Sequence, residues 1–304
     1  MNKRWAALAA PATFTAAPLV GLAELREQLS KMRAAPAARS SPQLPPWIGV
    51  FAPPKSASTF VWAVLARLLN ADRMVFNTVH PHDGGIQLMH ELDSKRMLDR
   101  RLRRRSVVFR MHLQASQHTL FHIRELAIRA IVCSRDVFDC LVSLREEWLK
   151  QWTHWEQVQA TRERGTEEAF LGTIPIPIIE RFMTVEPERQ IDMVIELATL
   201  WYLRFYQSWR CALERDRKAI YVCRFDELAG ASEQVIEQIL AFLDCPATGM
   251  AISEAISAVM QDRAEANLNV GVSGRGRQMM SAAQIDRVTA IAHTMKAEDL
   301  LGGL

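Results

Sequence analysis

Short apolar runs alternate along this chain with longer stretches that carry apolar residues at helical spacing. Four runs have the length and composition of buried strands: residues 47–52 (WIGVFA), 106–111 (SVVFRM), 130–133 (AIVC) and 219–223 (AIYVC). Four longer stretches predict helices: residues 60–69, 138–150, 193–215 and 232–243. Strands that alternate with helices predict a three-layer α/β domain with a central parallel sheet flanked by helices.

The same pattern divides the chain into a leader and a folded domain. Residues 34–46 (AAPAARSSPQLPP) have the Ala, Ser and Pro content of a linker, so residues 1–46 are expected to be a leader that is helical or poorly ordered. Residues 47–304 then form the α/β domain. A signal peptide is an alternative for the apolar leader, although its prolines make it a poor membrane-spanning helix. Further prolines predict that residues 153–190 are irregular and form a lid or insertion.

The composition narrows the class of protein. The chain has 304 residues, of which 49% are hydrophobic and 23% charged, so it can bury a sizeable core and is not disordered throughout. A net charge of +3 is too small to predict nucleic-acid binding, but it suits a pocket for a small polyanion. The five cysteines include no CxxC pair, which argues against a disulfide framework or a zinc site. A reducing cytoplasm is the simplest compartment.

Candidate chemistry begins in the loop between the first predicted strand and helix. This loop reads Pro54-Lys55-Ser56-Ala57-Ser58-Thr59-Phe60. Small residues allow the backbone to approach an anion, and the start of a helix favours a phosphate. Lys55 adds a full charge and the hydroxyls add donors. The GxxxxGK[ST] pattern of nucleotide triphosphatases is absent, so the loop is only P-loop-like. The alternative is a purely structural role, in which the loop is a capped turn at the start of a helix and Lys55 is solvated.

This loop resembles the PKSGTTW loop of sulfotransferases that use 3′-phosphoadenosine 5′-phosphosulfate (PAPS), in which it grips the 5′-phosphosulfate. A second block, residues 135–143 (RDVFDCLVS), resembles the family's RDPRDVLVS. By that resemblance Arg135 and Ser143 bind the 3′-phosphate. An Arg fork and a hydroxyl can converge on one phosphate.

Three further blocks resemble the family, and all five blocks occur along the chain in the family's order. Residues 109–113 (FRMHL) resemble KTHLP, whose histidine is the catalytic base in eukaryotic cytosolic members, and this implies that role for His112. Residues 224–228 (RFDEL) resemble the structural YEDL block. Residues 271–277 (GVSGRGR) resemble the RKGxxGDWK loop that closes over the 3′-phosphate, which brings in Gly271 and Arg275.

The chain departs from the family pattern at several positions. Ala57 replaces a glycine, so that turn must accept a Cβ atom. Phe60 replaces the adenine-stacking tryptophan and offers less stacking area. Asn269 and Val270 stand where the late loop of the family has Arg and Lys. The resemblance nevertheless extends over roughly residues 47–290.

The resemblance implies transfer of a sulfuryl group from PAPS to a hydroxyl or amine, with release of adenosine 3′,5′-bisphosphate (PAP). Lys55 would stabilise the leaving oxygen, and Ser58, Thr59 and the loop N–H groups would hold the 5′-phosphate. His112 would accept the proton, with His80 and His82 as rivals. No metal ion is required. A P-loop kinase or NTPase, and a non-catalytic nucleotide-binding module, are the competing functions.

The acceptor is not encoded in any motif of the sequence. A small molecule, a glycan or a lipid all fit, and the oligomeric state is open. The basic residues 95–105 (KRMLDRRLRRR) have the pattern of a solvated helix face, with weak contact to an acidic acceptor or membrane surface as the alternative. Tryptophans 148, 152 and 155 lie along one helix stripe, which is usually core and would otherwise line an acceptor pocket.

Overall fold

The computed structural model describes residues 47–74, 106–161, 181–262 and 271–304. The predictions for the leader (1–46), for His80 and His82, for the basic residues 95–105 and for residues 162–180 of the expected lid lie outside this part of the chain. None of the helices within it is long and apolar enough to cross a membrane.

A parallel sheet forms the centre of the domain, as predicted. Its strands are β1 (Trp47–Phe51), β2 (Asp72–Met74), β3 (Val107–Met111), β4 (Ile128–Ser134) and β5 (Ile220–Arg224). They are arranged in the order β2-β3-β1-β4-β5, and every neighbouring pair is parallel. The carboxyl ends of β1, β3 and β4 therefore meet at one edge of the sheet, where ligands bind in open α/β sheets.

Helices cover both faces of this sheet. They are α1 (Ser58–Leu68), α2 (Gln117–Glu125), α3 (Val137–Thr161), α4 (Pro187–Arg215), α5 (Phe225–Gly230), α6 (Ser232–Phe242), α7 (Gly249–Gln261), α8 (Gly276–Met279) and α9 (Ala282–Thr294), with a 3₁₀ turn at Glu298–Leu300. The four predicted helices are present as α1, α3, α4 and α6. Helix α2 was not predicted because it is mostly polar and buries only Thr119, His122 and Ile123.

The prediction of an irregular stretch over residues 153–190 was wrong at both of its ends. Helix α3 continues to Thr161, and α4 already begins at Pro187. Proline does not break α4 because it occupies the first turn, where its missing N–H group would have no partner anyway. Trp148 is 3% exposed and its ring meets Phe182 edge-on at 5.3 Å between centroids. This tryptophan thus belongs to the core, as its helical stripe predicted.

The core lies on the two faces of the sheet. One face packs aliphatic residues of β1 and β4 against α1, α6 and α7. On α4, the aromatic residues Tyr202, Phe205, Tyr206 and Trp209 are all fully buried. Cys133, Cys140 and Cys223 are buried free thiols. The packed layers hold the strand ends and the helix starts rigidly in place, which is what a site at this edge requires.

Candidate functional site at the carboxyl edge of the sheet

The loop between β1 and α1 has an unusual backbone. Lys55 and Ala57 both have left-handed conformations, with φ of 67° and 63°. Left-handed backbone costs an L-residue roughly 1–2 kcal/mol, so the surrounding structure must hold this turn in place. Ala57 is the residue before α1 and has no side chain that can cap the helix. The first N–H groups of α1 therefore lack an intrahelical partner and suit an anion.

The Lys55 side chain reaches across the site to helix α3. Its Nζ lies 2.8 Å from Oε2 of Glu147, and the two side chains are only 9% and 18% exposed. The Lys55 carbonyl accepts a hydrogen bond from the Arg135 guanidinium at 2.9 Å. Lys55 thus joins the loop to the turn between β4 and α3 and to α3 itself.

The remaining residues of the loop differ in what they expose. Ser56 donates to the Pro53 carbonyl at 2.7 Å and is 1% exposed, so its hydroxyl holds the loop together. Ser58 is also buried, whereas Thr59 is partly exposed. Phe60 is 4% exposed and belongs to the hydrophobic core. The adenine-stacking role predicted for Phe60 therefore has little exposed ring to use.

Arg110 is a charged residue of this site that the motif comparison did not single out. It lies in β3 and donates a short hydrogen bond to the Thr59 hydroxyl. Burial lowers the pKa of Arg110, and the nearby Glu147 carboxylate raises it in part. The sequence signal was a single arginine within an otherwise apolar strand, because a buried strand rarely carries a charge without a partner.

His112 lies just beyond the end of β3, beside the phosphate loop. Its Nδ1 is 2.7 Å from the carbonyl oxygen of Ala52, which can only accept a hydrogen bond. The proton of the neutral ring is therefore on Nδ1, and the lone pair is on Nε2. In this tautomer Nε2 is the unprotonated nitrogen, which is the form that a general base needs in order to accept a proton.

Arg135 connects three segments at the end of β4. Its guanidinium donates to the carbonyls of Lys55 at 2.9 Å and Val272 at 3.1 Å, and it stacks over the Phe225 ring at 3.8 Å. Its Nε is buried and has no hydrogen-bond partner among the described residues. An unpaired buried N–H donor is costly, so this atom is a candidate contact for an anionic ligand. Ser143, further along α3, is 2% exposed.

Two tyrosines of α4 form hydrogen bonds with the backbone of the β1–α1 loop and of the turn at Arg135. The Tyr202 hydroxyl donates to the Pro54 carbonyl at 3.0 Å. The Tyr206 hydroxyl donates to the Arg135 carbonyl at 2.6 Å and accepts from the Arg135 N–H at 3.0 Å. Burial raises the pKa of both phenols well above the usual value, so they stay neutral and can donate. No sequence motif indicated these hydrogen bonds.

Residues 271–277, here called the late loop, are hydrogen-bonded to the start of α3. The buried carboxylate of Asp139 accepts from the N–H groups of Gly274 at 2.8 Å and Gly276 at 2.7 Å. Gly271 and Gly274 have φ of 70° and 82°, which glycine adopts without strain. Arg275 forms a short ion pair with Glu146 of α3. The late loop thus lies next to the turn at Arg135.

Together these contacts place Lys55, Arg110, Arg135 and Arg275 around one edge of the sheet, next to the uncapped start of α1. Guanidinium groups bind phosphates with paired donors, and a helix start adds backbone donors. Because the β1 loop and the late loop each contribute a cation, the arrangement suits a ligand that carries anionic groups at two ends.

No protein-family model and no curated protein matches this chain. Among solved structures, mouse sulfotransferase SULT7A1 complexed with PAP aligns with a TM-score of 0.53 at 14% identity, over 84% of this chain and 88% of that one. Retinol dehydratase in complex with androsterone and PAP aligns at 0.48 and 11%, over 84% and 83%. Sulfotransferase STF9 from Mycobacterium avium aligns at 0.40 and 12%, over 93% and 83%. By its parallel sheet, its flanking helices and its alignment with the mouse protein, this chain has a sulfotransferase-like fold.

Proposed function

We propose that this protein is a sulfotransferase that moves a sulfuryl group from PAPS to a hydroxyl or amine of an acceptor and releases PAP. The observation that carries the proposal is the meeting of the β1–α1 loop and the late loop at one sheet edge. The Arg135 guanidinium links them, because it contacts the backbone of both Lys55 and the late loop. A ligand with phosphates at both its 5′ and 3′ positions carries an anionic group for each of these cationic segments.

The residues present fit such a donor. The start of α1 and the Lys55 ammonium would hold the 5′-phosphate, with Thr59 and Arg110 beside them. Arg135 would meet the 3′-phosphate through its unpaired Nε, with Ser143 and the late loop from Gly271 to Arg275 around it. Ser56, Ala57 and Ser58 would act through the backbone or as supports of the loop, because their side chains are small, and those of Ser56 and Ser58 are also buried. The donor supplies the activated sulfuryl group.

The chemistry then falls on two side chains. The bond between sulfur and the bridging oxygen breaks while a bond from sulfur to the acceptor oxygen or nitrogen forms. Lys55 stabilises the negative charge that develops on the leaving oxygen. His112 accepts the acceptor proton at Nε2, since Nδ1 is occupied in its hydrogen bond to Ala52. Positioning and charge stabilisation account for the remaining catalysis.

A thermal-shift titration tests the donor site directly. Purified protein is heated with PAP, with adenosine 5′-phosphate and with Mg·ATP. A ligand that binds the native state raises the melting temperature, so PAP is expected to stabilise the protein most. A response to Mg·ATP alone would favour a kinase or NTPase, and no response to PAP would refute the proposal.

Two substitutions then assign roles. Arg135→Ala should lower the affinity for PAP by about thirtyfold, which corresponds to the loss of one charge-assisted hydrogen-bonded pair. The affinity for adenosine 5′-phosphate should fall much less, because that ligand lacks the 3′-phosphate. Equal losses for both ligands would contradict the assignment of Arg135.

The substitution His112→Ala should leave the affinity for PAP unchanged. It should abolish the release of PAP from PAPS, measured in the presence of a panel of phenols, alcohols and amines. Turnover at the wild-type rate in His112→Ala would refute the assignment of His112 as the general base. If the wild-type protein binds PAP but shows no turnover, it is a nucleotide-binding module and not an enzyme.

A further inference from the structure

Two adjacent carboxylates of helix α3 hold the cations of the two anion-binding loops. Glu147 pairs with Lys55 of the phosphate loop at 2.8 Å. Glu146 pairs with Arg275 of the late loop through a short contact. The four side chains are between 9% and 21% exposed, so both pairs are largely shielded from water. Consecutive helical residues point about 100° apart, which lets neighbouring glutamates reach different loops.

These pairs compete with any anion that enters the site. Lys55 cannot give its full charge to a phosphate while Glu147 lies at hydrogen-bond distance from its ammonium. The same holds for Arg275 and Glu146. Partial burial strengthens both ion pairs over those on an open surface, so their displacement has a measurable cost.

We propose that Glu146 and Glu147 are internal counter-ions that the two phosphates of the donor displace, Glu147 at the 5′ end and Glu146 at the 3′ end. This inference rests on the proposed function. It makes the two glutamates positioning residues: they keep Lys55 and Arg275 in place over the site before the donor binds, and they lower the affinity for the donor. Each carboxylate is thereby linked to one named phosphate.

The test uses one substitution at each of these adjacent positions and two ligands. Affinities of wild type, Glu147→Gln and Glu146→Gln are measured by titration calorimetry with PAP and with adenosine 5′-phosphate. Glu147→Gln should bind both ligands about fivefold more tightly, because both carry the 5′-phosphate. Glu146→Gln should bind PAP about fivefold more tightly and leave the affinity for adenosine 5′-phosphate unchanged. The two variants make the same change of charge one residue apart, so each serves as the control for the other.

The background of the cation gives an independent check. In Lys55→Met, the added substitution Glu147→Gln should lose most of its gain, whereas Glu146→Gln should keep its own. Thermal unfolding without ligand verifies that each variant is folded. If either glutamine variant fails to fold, Glu→Asp at the same position keeps the charge but shortens the reach, and it is expected to tighten PAP binding in the same ligand-selective way.

The outcomes separate this inference from the proposed function. Wild-type protein that does not bind PAP overturns the proposed function and this inference with it. Wild-type protein that binds PAP, together with variants that bind it equally or more weakly, leaves the proposed function in place and overturns the role of the glutamates. Equal tightening of both ligands in both variants also overturns it, because that result reports a general change of charge.

Discussion

Asp139 is the residue on which the late loop depends most directly. Its two carboxylate oxygens accept separate backbone hydrogen bonds, from Gly276 at 2.7 Å and from Gly274 at 2.8 Å. The side chain is fully buried, and the Arg135 guanidinium lies 3.7 Å from one of its oxygens. Asp139→Asn keeps the shape of the side chain but replaces one acceptor with an NH₂ donor, so one backbone N–H group is left facing another donor.

The expected cost follows from these contacts. A hydrogen bond to a charged group contributes about 1.5–3 kcal/mol, and an unpaired buried donor costs a similar amount. Asp139→Asn removes one such bond and weakens the other by removing the charge. We therefore expect the free energy of unfolding to fall by about 3 kcal/mol. PAP affinity should fall as well, because both the late loop and Arg135 lose support.

Urea denaturation measures the stability, and hydrogen exchange of the peptide that contains residues 271–280 measures how firmly the loop is attached. The amides of Gly274 and Gly276 should exchange faster in Asp139→Asn than in wild type. Asp226→Asn is the matched control, since its ion pair with Arg224 is about half exposed. That control should change the free energy of unfolding by less than about 0.5 kcal/mol.

The reasoning would be refuted by a small effect. A loss below about 1 kcal/mol, together with unchanged protection of residues 271–280, would mean that the loop is held by other contacts. A large loss of stability with unchanged loop protection would place the role of Asp139 in the start of α3 instead.

Two further predictions concern Gly276, which packs against the start of α3, and His122, which is buried in α2. Gly276→Ala should destabilise the protein by about 2 kcal/mol or more in urea, because a Cβ atom there would lie 2.3 Å from the Phe138 carbonyl carbon, whereas Gly249→Ala has open space and should be neutral or stabilising. The pKa of His122 is lowered from 6.5 to about 4 by burial and by the neighbouring His118. The unfolded chain therefore takes up this proton first, and stability should fall as the pH drops from about 6.5 to about 4. His122→Gln should remove about 2 kcal/mol of that loss, and identical pH profiles of unfolding would contradict it.

Much of the architecture follows from local pattern. The apolar runs at 47–52, 106–111 and 130–133 each form a parallel strand. Apart from Arg110 and the terminal Ser106 they contain no polar side chain, as is typical of strands that are buried on both faces of a sheet. Polar motif residues stand at the ends of these strands in the sequence. Parallel strands bring those ends to one edge, so the location of the candidate site was predictable before any tertiary contact was known.

Helix ends were harder to place from the sequence. The start of α4 at Pro187 was missed because proline gives opposite signals in a first turn and in a helix interior. Helix α2 buries only Thr119, His122 and Ile123 and therefore lacks a wide apolar stripe.

The sequence by itself thus determined the fold class, the strands β1, β3, β4 and β5, and the helices α1, α3, α4 and α6. Only the tertiary structure decided the partners of the motif residues: Glu147 for Lys55, Asp139 for the late loop, and Tyr206 for the Arg135 turn. Strand and helix formation depends on neighbours a few positions apart, whose side-chain pattern can be read directly. A hydrogen bond between residues far apart in the chain depends on how whole layers pack, and no local pattern records that geometry.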